Sequence, residues 1–365
     1  MPLRIGVDAR ELLGDTTGVG RYLAELLRRW LARSDASSRQ FLLFSPEPLP
    51  FVQALSPDPR LVEACVIGRG RGTLWEQTFL RRALATRRPD VFFAPAYTAP
   101  FKTSIPMVVT IHDVSFSAHP EWFTRREGAR RRLLTRRTAR QAKLVLTVSE
   151  FSRQEIRHRL GIDEARILTI RSGVTRRPTG AYPREPLVLF AGSLFTRRRL
   201  PMLIAAFARA AAARPDARLV IAGANRTYPR VDLRRLAEDT GIGSRIDLRD
   251  YVDEAELEQL YGRAAAFAFP SEYEGFGFTP LEALSAGTPV VVLDTPVARE
   301  IYGDAACYVD PADDGQGLAA ALKRLLDARG AAAASLPGAA EVLSRYSWDT
   351  AADRTLAALE QAASR

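Results

Sequence analysis

Short apolar runs alternate with longer helical patterns along the whole chain of 365 residues. Many of the runs, such as VFFAP at 91–95 and PVVVLD at 289–294, are continuously apolar. Such runs are typical of strands that are buried on both faces of a parallel sheet. Between them, segments such as 18–32 and 200–213 carry apolar residues at helical spacing. This alternation predicts an α/β fold with parallel sheets and helices on both faces.

The same pattern predicts thirteen strands, seven of them before residue 180. They lie at 3–8, 41–45, 61–67, 91–95, 106–112, 143–149 and 167–170, and then at 186–192, 218–223, 245–251, 265–271, 289–294 and 307–311. Between the two sets, a segment rich in proline and glycine leaves no room for a regular element. We therefore predict two Rossmann-like domains, 1–176 and 187–345, which face each other across a cleft and are joined by a linker at 177–186.

The last segment, 346–365, is predicted to form a helix. Trp348, Leu356 and Leu359 would give this helix an apolar stripe. Its predicted role is structural, with the stripe packed across the junction of the two domains.

Composition sets limits on location. Hydrophobic residues make up 47% of the chain, which is enough for a core in each domain. No apolar run reaches the roughly 20 residues of a membrane-spanning helix, and the N-terminal sequence opens on a strand pattern rather than a signal peptide. The two cysteines, Cys65 and Cys307, lie far apart in apolar stretches, which predicts buried, reduced thiols. These features predict a cytoplasmic protein.

The net charge of +10 is unevenly distributed. Residues 1–180 hold 31 basic and 17 acidic side chains, whereas the rest of the chain holds 21 basic and 25 acidic ones. The excess of positive charge in the first half indicates an anionic partner there, which could be a phosphate group, an anionic lipid or a nucleic acid.

A glycine-rich loop between a strand and a helix is the strongest chemical signal in the sequence. Strand 265–271 leads into EYEGFGF and then into TPLEALSAG. Gly275 and Gly277 permit a tight turn that exposes backbone N–H groups. Thr279 is predicted as the N-cap of the helix, with Pro280 in its first position. A helix start of this kind binds anions such as a diphosphate.

Two carboxylates belong to this loop and helix. Glu274 lies in the loop and Glu282 about one turn into the helix, so both can face one ligand. A carboxylate beside a phosphate site is unfavourable unless it accepts hydrogen bonds, and sugar and ribose hydroxyls are suitable donors. The alternative interpretation is a helix-start loop with solvated acids.

The context of these two residues, EGFGFTPLEALSAGTPVV, resembles the signature of family 4 retaining glycosyltransferases, which have the GT-B fold. Residues 190–207 resemble the family's strand–loop–helix with a basic pair, which is usually Arg-Lys but here is Arg-Arg. Residues 17–27 resemble its N-terminal glycine loop. Residues 110–123 and 146–156 resemble the N-terminal domain of the branch that often uses GDP-mannose.

The resemblance implies a role for each matching residue. Arg197 and Arg198 would neutralise the leaving diphosphate, Glu274 would accept hydrogen bonds from the hexose, and Glu282 would hold the ribose. His112 would approach the sugar, and Asp113 would orient it or touch the acceptor. The implied catalytic residues are His112, Arg197, Arg198 and Glu274; the implied donor-binding residues are Gly18, Gly20, Val252, Gly275, Phe276, Gly277, Phe278, Thr279 and Glu282; Asp113 is on the acceptor side.

Several of these residues also have ordinary structural explanations. A glycine pair such as Gly18 and Gly20 often only forms a turn, and the full dinucleotide fingerprint is missing because Leu23 stands at its last position. A lone histidine such as His112 is commonly structural, and Arg198 could be a solvated charge at a helix end.

The resemblance implies no metal and no cofactor besides the nucleotide-sugar donor, GDP-mannose, as co-substrate. The sequence has no Asp-x-Asp motif at a strand end and no His/Cys cluster with metal-ligand spacing. The alternatives are a UDP- or ADP-sugar-dependent transferase, an epimerase or phosphorylase of the same fold, and a basic binding protein without catalysis. A phosphorylase would need a pyridoxal lysine, and only Lys323 is available in the second domain.

The Arg-rich segment 125–143 holds eight arginines and one lysine against a single glutamate. It is either a helix with a solvated charged face or a seat for an anionic membrane or a polyprenyl-diphosphate-linked acceptor. No nucleic acid is expected, because aromatic residues that could stack on bases are missing here. We therefore expect transfer of a hexose, with mannose from GDP-mannose first, to a glycan or lipid-linked acceptor in cell-surface polysaccharide synthesis, in the cytoplasm or at the inner face of the membrane.

Overall fold

A computed structural model describes residues 2–14, 18–50, 52, 58, 60–180, 182–328 and 338–364. Two compact units make up the chain. The first comprises Met1–Ala118, Arg125–Gly173 and Tyr346–Arg365, and the second comprises His119–Thr124 and Val174–Arg345. The second unit thus includes a short piece from the middle of the N-terminal half, and the first unit includes the C-terminal helix.

The first unit contains a seven-stranded sheet among the residues described. Its strands are β1 (Leu3–Asp8), β2 (Arg39–Ser45), β3 (Val62–Val66), β4 (Val91–Ala94), β5 (Met107–Thr110), β6 (Leu144–Thr147) and β7 (Ile167–Thr169). All neighbouring strands are parallel, in the order β3-β2-β1-β4-β5-β6-β7.

The second unit contains a six-stranded sheet, again among the described residues. Its strands are β8 (Glu185–Ala191), β9 (Arg218–Ala222), β10 (Ile246–Arg249), β11 (Ala264–Phe269), β12 (Val290–Leu293) and β13 (Cys307–Val309). They are parallel in the order β10-β9-β8-β11-β12-β13. All thirteen predicted strands are therefore present, and their ends differ from the predicted ones by at most two residues.

Helices connect the strands of both sheets. The described α-helices are α1 (Val19–Ala32), α2 (Thr73–Trp75), α3 (Arg81–Arg87), α4 (Ser115–Ala118), α5 (Arg125–Gln141), α6 (Glu150–Leu160), α7 (Leu200–Ala210), α8 (Leu233–Asp239), α9 (Glu254–Arg263), α10 (Phe278–Ser285), α11 (Pro296–Tyr302), α12 (Gln316–Asp327), α13 (Ala339–Ser344) and α14 (Trp348–Ala363). A π-helical turn, Glu76–Leu80, joins α2 to α3. Among these described helices, none combines the length and the apolar character needed to cross a membrane.

The strand order reverses once in each sheet, between β1 and β4 in the first and between β8 and β11 in the second. In open parallel sheets, ligands bind at the carboxyl ends of the strands where the order reverses. In the second unit, the loops that follow β8 and β11 contain the predicted basic pair and the predicted glycine loop, respectively.

The C-terminal helix α14 packs within the first unit. Trp348, Leu356 and Leu359, the predicted apolar stripe, are all at most 4% exposed. The indole N–H of Trp30 in α1 donates to the carbonyl of Ala352 in α14 (2.9 Å). These contacts bury the apolar face of α1 together with that of α14.

Both cysteines are free, but the prediction that both are buried is correct for only one of them. Cys65 is buried, but Cys307 is only partly buried, because it starts β13 at the edge of the second sheet. Its sulfur lies 3.7 Å from a guanidinium nitrogen of Arg324.

Truncation of the stripe should destabilise the first unit. Leu359→Ala removes a fully buried side chain and should lower the free energy of unfolding by about 2–5 kcal/mol. Arg354→Ala, at an exposed position of the same helix, should change it by less than about 0.5 kcal/mol. Urea unfolding of both variants measures the difference, and equal values for the two would contradict the packing described.

Candidate active site

The loop after β8 places two arginines at the carboxyl end of that strand. Thr196–Arg198 form a single 3-10 turn, and α7 begins two residues later. Arg198 donates from Nη1 to the carbonyl of Ser193 (2.7 Å), which fixes its guanidinium beside the strand end. Arg197 is 9% exposed and the Arg198 side chain 12%, so both charges are largely removed from water. Neither arginine is a solvated helix-end charge.

The loop after β11 supplies the counter-charge. Arg198 donates from Nε to Glu274 Oε1 (2.9 Å), and Arg197 Nη2 lies 3.6 Å from Glu274 Oε2. Ser271 donates its hydroxyl to the same Oε1 (2.9 Å). The backbone N–H of Glu272 donates to the carbonyl of Arg197 (2.9 Å), which links the two loops directly. We call Arg197, Arg198, Ser271 and Glu274 the arginine–glutamate cluster.

The charges of this cluster set the ionisation state of Glu274. Burial raises the pKa of its carboxyl, but the adjacent guanidinium groups of Arg198 and Arg197 and the hydrogen bonds of Arg198 and Ser271 lower it to about 2. Glu274 is therefore ionised at neutral pH. Two arginines and one carboxylate leave a net charge of +1 in a poorly hydrated place, which favours an anionic ligand.

Close packing explains the glycine at the end of β8. Gly192 has a φ of +126°, and a Cβ atom there would lie 2.7 Å from Arg198 Nη1. The Arg198 guanidinium also lies over the ring of Phe269 (4.8 Å to the centroid), and that of Arg197 lies over Phe195 (4.6 Å). These contacts orient both arginines.

The start of α10 corrects one prediction. Its N-cap is Gly277, with a left-handed φ of +87°, so Thr279 lies inside the helix and its side chain does not cap it. Gly277 takes this role because a side chain would not fit: a Cβ atom would lie 2.2 Å from the hydroxyl of Tyr302, which donates to the Gly277 carbonyl (3.2 Å). Phe276 and Phe278 flank it with their rings 5.1 Å apart.

A small cavity adjoins the cluster. Its lining residues are Phe269, Ser271, Glu274, Phe276, Val292, Thr295, Val297, Ala298 and Tyr302. It therefore lies between the glycine loop and α11, and its lining includes both Glu274 and Phe276, to which the family resemblance assigns roles at the donor sugar.

Glu282 lies in a different environment from Glu274. It is 1% exposed and accepts a hydrogen bond at Oε2 from the hydroxyl of Tyr261 (3.1 Å). The guanidinium of Arg177 lies 3.8 Å from the same oxygen. Tyr261 and Arg177 do not belong to the arginine–glutamate cluster. Both predicted carboxylates, Glu274 and Glu282, are buried, which is inconsistent with solvated acids.

His112 and Asp113 belong to the first unit, at the carboxyl end of β5. His112 Nε2 lies 2.9 Å from the carbonyl of Pro95. Because a carbonyl can only accept, this nitrogen carries the hydrogen, and Nδ1 of the neutral ring is then an acceptor. Burial lowers the pKa of the imidazole, although the Pro95 carbonyl and the Asp113 charge act in the opposite direction. The ring is therefore neutral at pH 7.

Asp113 accepts hydrogen bonds from the start of α4 and from Tyr97. It accepts from the backbone N–H of Ser115 (2.8 Å) and from the hydroxyl of Tyr97 (3.3 Å). The His112 ring instead packs edge-on against Tyr22 of α1, with 5.1 Å between centroids.

The other predicted donor residues are placed as follows. Gly18 is the N-cap of α1, with a φ of +51°, and Gly20 is buried in the first turn of that helix. Thr17, at the start of the predicted glycine loop, lies outside the described residues. Val252 is partly buried and precedes α9 by two residues.

Sequence reasoning missed several side chains that support the site. Ser271 lies two residues after the end of β11, a position that could have suggested a hydrogen-bond partner of Glu274. Arg177 gave no signal, because it lies in the segment interpreted as a linker. The rings of His119 and Trp122 stack with 3.9 Å between their centroids. Both rings contact Tyr273, whose ring centroid lies 5.4 Å from that of His119. Tyr273 directly precedes Glu274. The residues 119–124 therefore support the glycine loop from within the second unit.

Metal ligands are not grouped in the described parts of the chain. No set of three or more histidine, cysteine, aspartate or glutamate side chains there could hold a metal ion. Arg197 and Arg198 contribute positive charge at the carboxyl ends of β8 and β11.

Two known sequence families match the chain, one over most of its N-terminal half and one over most of its C-terminal half. Residues 16–177 match Glycosyltransferase Family 4, and residues 173–337 match Glycosyl transferases group 1. The first match covers the β5 end with His112, and the second covers the arginine–glutamate cluster and Glu282.

Individual proteins match over much of the chain. O-antigen chain mannosyltransferase B of Escherichia coli is 26% identical over 370 residues, covering 93% of this chain and 95% of that protein. Glycogen synthase of Mycobacterium tuberculosis is 32% identical over 292 residues, covering 73% and 68%. GDP-mannose:cellobiosyl-diphosphopolyprenol alpha-mannosyltransferase of Komagataeibacter xylinus is 30% identical over 232 residues, covering 60% and 57%.

Solved structures give the fold. The Anabaena protein Alr3699/HepE, in complex with UDP and glucose, superposes with a TM-score of 0.75 over 98% of this chain and 100% of its own, at 18% identity. The predicted GT-B fold, with two parallel α/β sheets, is thereby confirmed. The sequence matches and the shared fold lead to one conclusion: the chain belongs to glycosyltransferase family 4 and is a hexosyltransferase of the GT-B fold.

Proposed function

We propose that this glycosyltransferase moves mannose from GDP-mannose, with retention of configuration, to a glycan or polyprenyl-diphosphate-linked acceptor in cell-surface polysaccharide synthesis. One observation carries the proposal: the buried arginine–glutamate cluster at the carboxyl ends of β8 and β11. It combines positive charge for a diphosphate with an ionised acceptor for sugar hydroxyls.

The two arginines act on the leaving group in this proposal. As the glycosidic bond breaks, negative charge grows on the diphosphate, and Arg197 and Arg198 stabilise it more in the transition state than in the ground state. Their planar guanidinium groups suit phosphate oxygens. Because both are held by Glu274, Phe195 and Phe269, little reorganisation is needed during the reaction. For this reason we propose that no divalent ion is required.

Glu274 acts as a hydrogen-bond acceptor and not as an acid or a nucleophile. A carboxyl whose pKa is held at about 2 has no proton to give at neutral pH. Its carboxylate is paired with two guanidinium groups, which lowers its nucleophilicity. The acceptor hydroxyl would then attack on the face from which the diphosphate departs, and the departing phosphate would take up the proton. This is the retaining mechanism that the family resemblance implies.

His112 contributes as a neutral ring. With Nε2–H engaged by Pro95, its Nδ1 offers an acceptor for a hydroxyl of the sugar or of the acceptor. In this proposal, a neutral ring adds no positive charge to an oxocarbenium-like centre.

The relatives support mannose as the sugar. Two of them are named as mannosyltransferases, one for O-antigen and one for a diphosphopolyprenol-linked acceptor. The second candidate is a UDP- or ADP-glucose-dependent transferase, which is favoured by the relative named as glycogen synthase and by the neighbour solved with UDP and glucose.

A lipid-linked acceptor would be met at a membrane, and α5 has a face that suits one. One side of α5 is buried through Gly128, Leu134 and Thr138. The opposite side exposes Leu133 (67% exposed) at the centre of an arc of arginines. This cationic face comprises Arg126, Arg130, Leu133, Arg136, Arg137 and Arg140. We propose that it rests on an anionic bilayer.

Donor specificity decides between the two candidates. Purified protein is incubated in EDTA with a polyprenyl-diphosphate-linked oligosaccharide and, in separate reactions, with GDP-mannose, UDP-glucose or ADP-glucose. Release of the nucleoside diphosphate should be fastest from GDP-mannose. NMR of the product should show the anomeric configuration of the donor. Faster turnover of UDP- or ADP-glucose would favour the second candidate, an inverted linkage would contradict the mechanism, and loss of activity in EDTA would contradict metal independence.

The arginine–glutamate cluster should control the chemical step in the same assay. Arg198→Ala should lower kcat/KM by about 100- to 1,000-fold, as expected when a donor to a developing oxyanion is removed. Arg209→Ala, an exposed arginine on the adjacent helix α7, is the matched control and should retain wild-type rates. A loss below about threefold for Arg198→Ala would contradict its role.

The ionised state of Glu274 should be visible in stability. Its folded pKa of about 2 lies below the ordinary 4.5, so its contribution is fully present above pH 4.5 and is lost as the pH falls toward 2. The Tm of the wild type should therefore fall more steeply below pH 4.5 than that of Glu274→Gln, which has no carboxyl to protonate. Parallel curves from scanning calorimetry would show that Glu274 is not held in its ionised form.

Vesicle sedimentation tests the cationic face. Vesicles that contain phosphatidylglycerol should bind the protein, and pure phosphatidylcholine vesicles should not. Arg126→Glu combined with Arg136→Glu should weaken binding by about tenfold or more, since each basic residue near an anionic surface contributes about 1 kcal/mol. Arg234→Glu with Arg235→Glu changes the charge equally on exposed positions of α8 in the second unit and should have a smaller effect. Equal losses would indicate a response to net charge alone.

A further inference from the structure

Arg177 is a buried arginine that the proposed reaction leaves without a role. Its side chain is 3% exposed, and it lies in the second unit, ahead of β8. Its backbone N–H donates to the hydroxyl of Ser285 (3.1 Å), which attaches the chain to the end of α10 at this point. An arginine cannot release its proton in a protein, so a buried one must be compensated by neighbouring negative charge.

Three carboxylates from two helices supply this compensation. Arg177 Nη2 lies 2.5 Å from Glu254 Oε1 and 3.8 Å from Glu282 Oε2, and Nη1 lies 3.9 Å from Glu258 Oε2. Glu254 is well exposed, whereas the Glu282 side chain is 2% exposed. The Arg177 guanidinium also lies 5.6 Å from the ring centre of Tyr261, whose hydroxyl donates to Glu282. Among these carboxylates, Glu282 is the buried one.

The two helices that meet at Arg177 contain or adjoin the residues that the family resemblance assigns to the nucleoside. Glu254 opens α9, two residues after Val252, the position expected to contact the base. Glu282 lies in α10 and is expected to hold the ribose. Arg177 therefore connects the start of one segment with the carboxylate of the other.

We infer that Arg177 is a positioning residue for nucleoside recognition, which holds Glu282 as an oriented carboxylate for the ribose hydroxyls and fixes the start of α9 beside the base. The inference rests on the proposed role of Glu282 in nucleotide binding. A buried carboxylate without a nearby positive charge takes up a proton. A neutral carboxyl accepts weaker hydrogen bonds from hydroxyls than a carboxylate does. Loss of Arg177 should therefore weaken the ribose contact specifically.

Analogues that lack the ribose hydroxyls separate this role from a general structural one. Calorimetric titration should compare GDP with 2′,3′-dideoxy-GDP, or UDP with its dideoxy analogue if the donor assay selects a UDP-sugar. The wild type should bind the natural nucleotide more tightly. Arg177→Gln should lose about tenfold in affinity for the natural nucleotide and less than about threefold for the analogue. Arg177→Lys keeps the charge but lacks the planar guanidinium fork that reaches both helices. Its affinity for the natural nucleotide should therefore lie between those of the wild type and Arg177→Gln.

Arg184 provides the matched control. It belongs to the same segment and donates to the carbonyl of Ala264 (2.8 Å) and the hydroxyl of Thr288 (2.6 Å), neither of which is a carboxylate. Arg184→Gln should lower the Tm and leave the ratio of the two affinities unchanged.

The possible outcomes are distinct. Equal losses for both nucleotides in Arg177→Gln would overturn the inference, because they would reveal a structural effect only. A wild type that binds both nucleotides equally would instead refute the ribose role of Glu282, and with it part of the proposed function. If Arg177→Gln does not fold, Arg177→Lys in the same comparison decides the question, since an unchanged ratio of affinities in that variant would overturn the inference.

Discussion

The second unit depends on one carboxylate, Glu274, that is shared between two arginines. Without it, Arg197 and Arg198 would bring two positive charges together in a place with little water, which is unfavourable by several kcal/mol. With it, the loops after β8 and β11 are tied together at the point where the strand order reverses. The same ion pairs that tie these loops together thus create a positively charged place for a diphosphate.

Two glycines of this region are explained by the close approach of neighbouring side chains. Gly192 lets Arg198 approach the end of β8, and Gly277 lets the hydroxyl of Tyr302 approach the start of α10. Both have positive φ values, so a side chain at either position would be strained as well as crowded. The sequence pattern assigns Gly277 to an anion-binding loop, and in the structure its close neighbour is the hydroxyl of Tyr302.

Most of the fold could be predicted from the sequence, because strands that are buried on both faces produce continuous apolar runs. All thirteen strands were found this way, whereas the N-cap of α10 was misassigned to Thr279. The rules for caps favour a side-chain oxygen, but at this position packing against Tyr302 selects a glycine. The family resemblance supplied the site residues, and the structure brings Arg197, Arg198 and Glu274 together as an ion-paired group.

The partners of those residues could not have been predicted in the same way. Arg177 lies 105 positions before Glu282, in a segment whose prolines indicate only that no helix or strand fits there. Trp122 and His119 come from the N-terminal half but pack on Tyr273. Contacts over such distances are fixed by the folded arrangement of helices and loops, and no local pattern of hydrophobicity or charge records them.

The position of α14 has a consequence for the order in which the chain can complete its structure. The chain passes between the two units four times, and its final helix returns to the first. During synthesis, all seven strands of the first sheet emerge before any strand of the second. Yet the apolar face of α1 and the indole N–H of Trp30 find their partners only when residues 348–363 have been made. The unit whose strands are synthesised first is thus the last to complete its packing. Until then, its uncovered apolar surface must stay out of contact with other nascent chains.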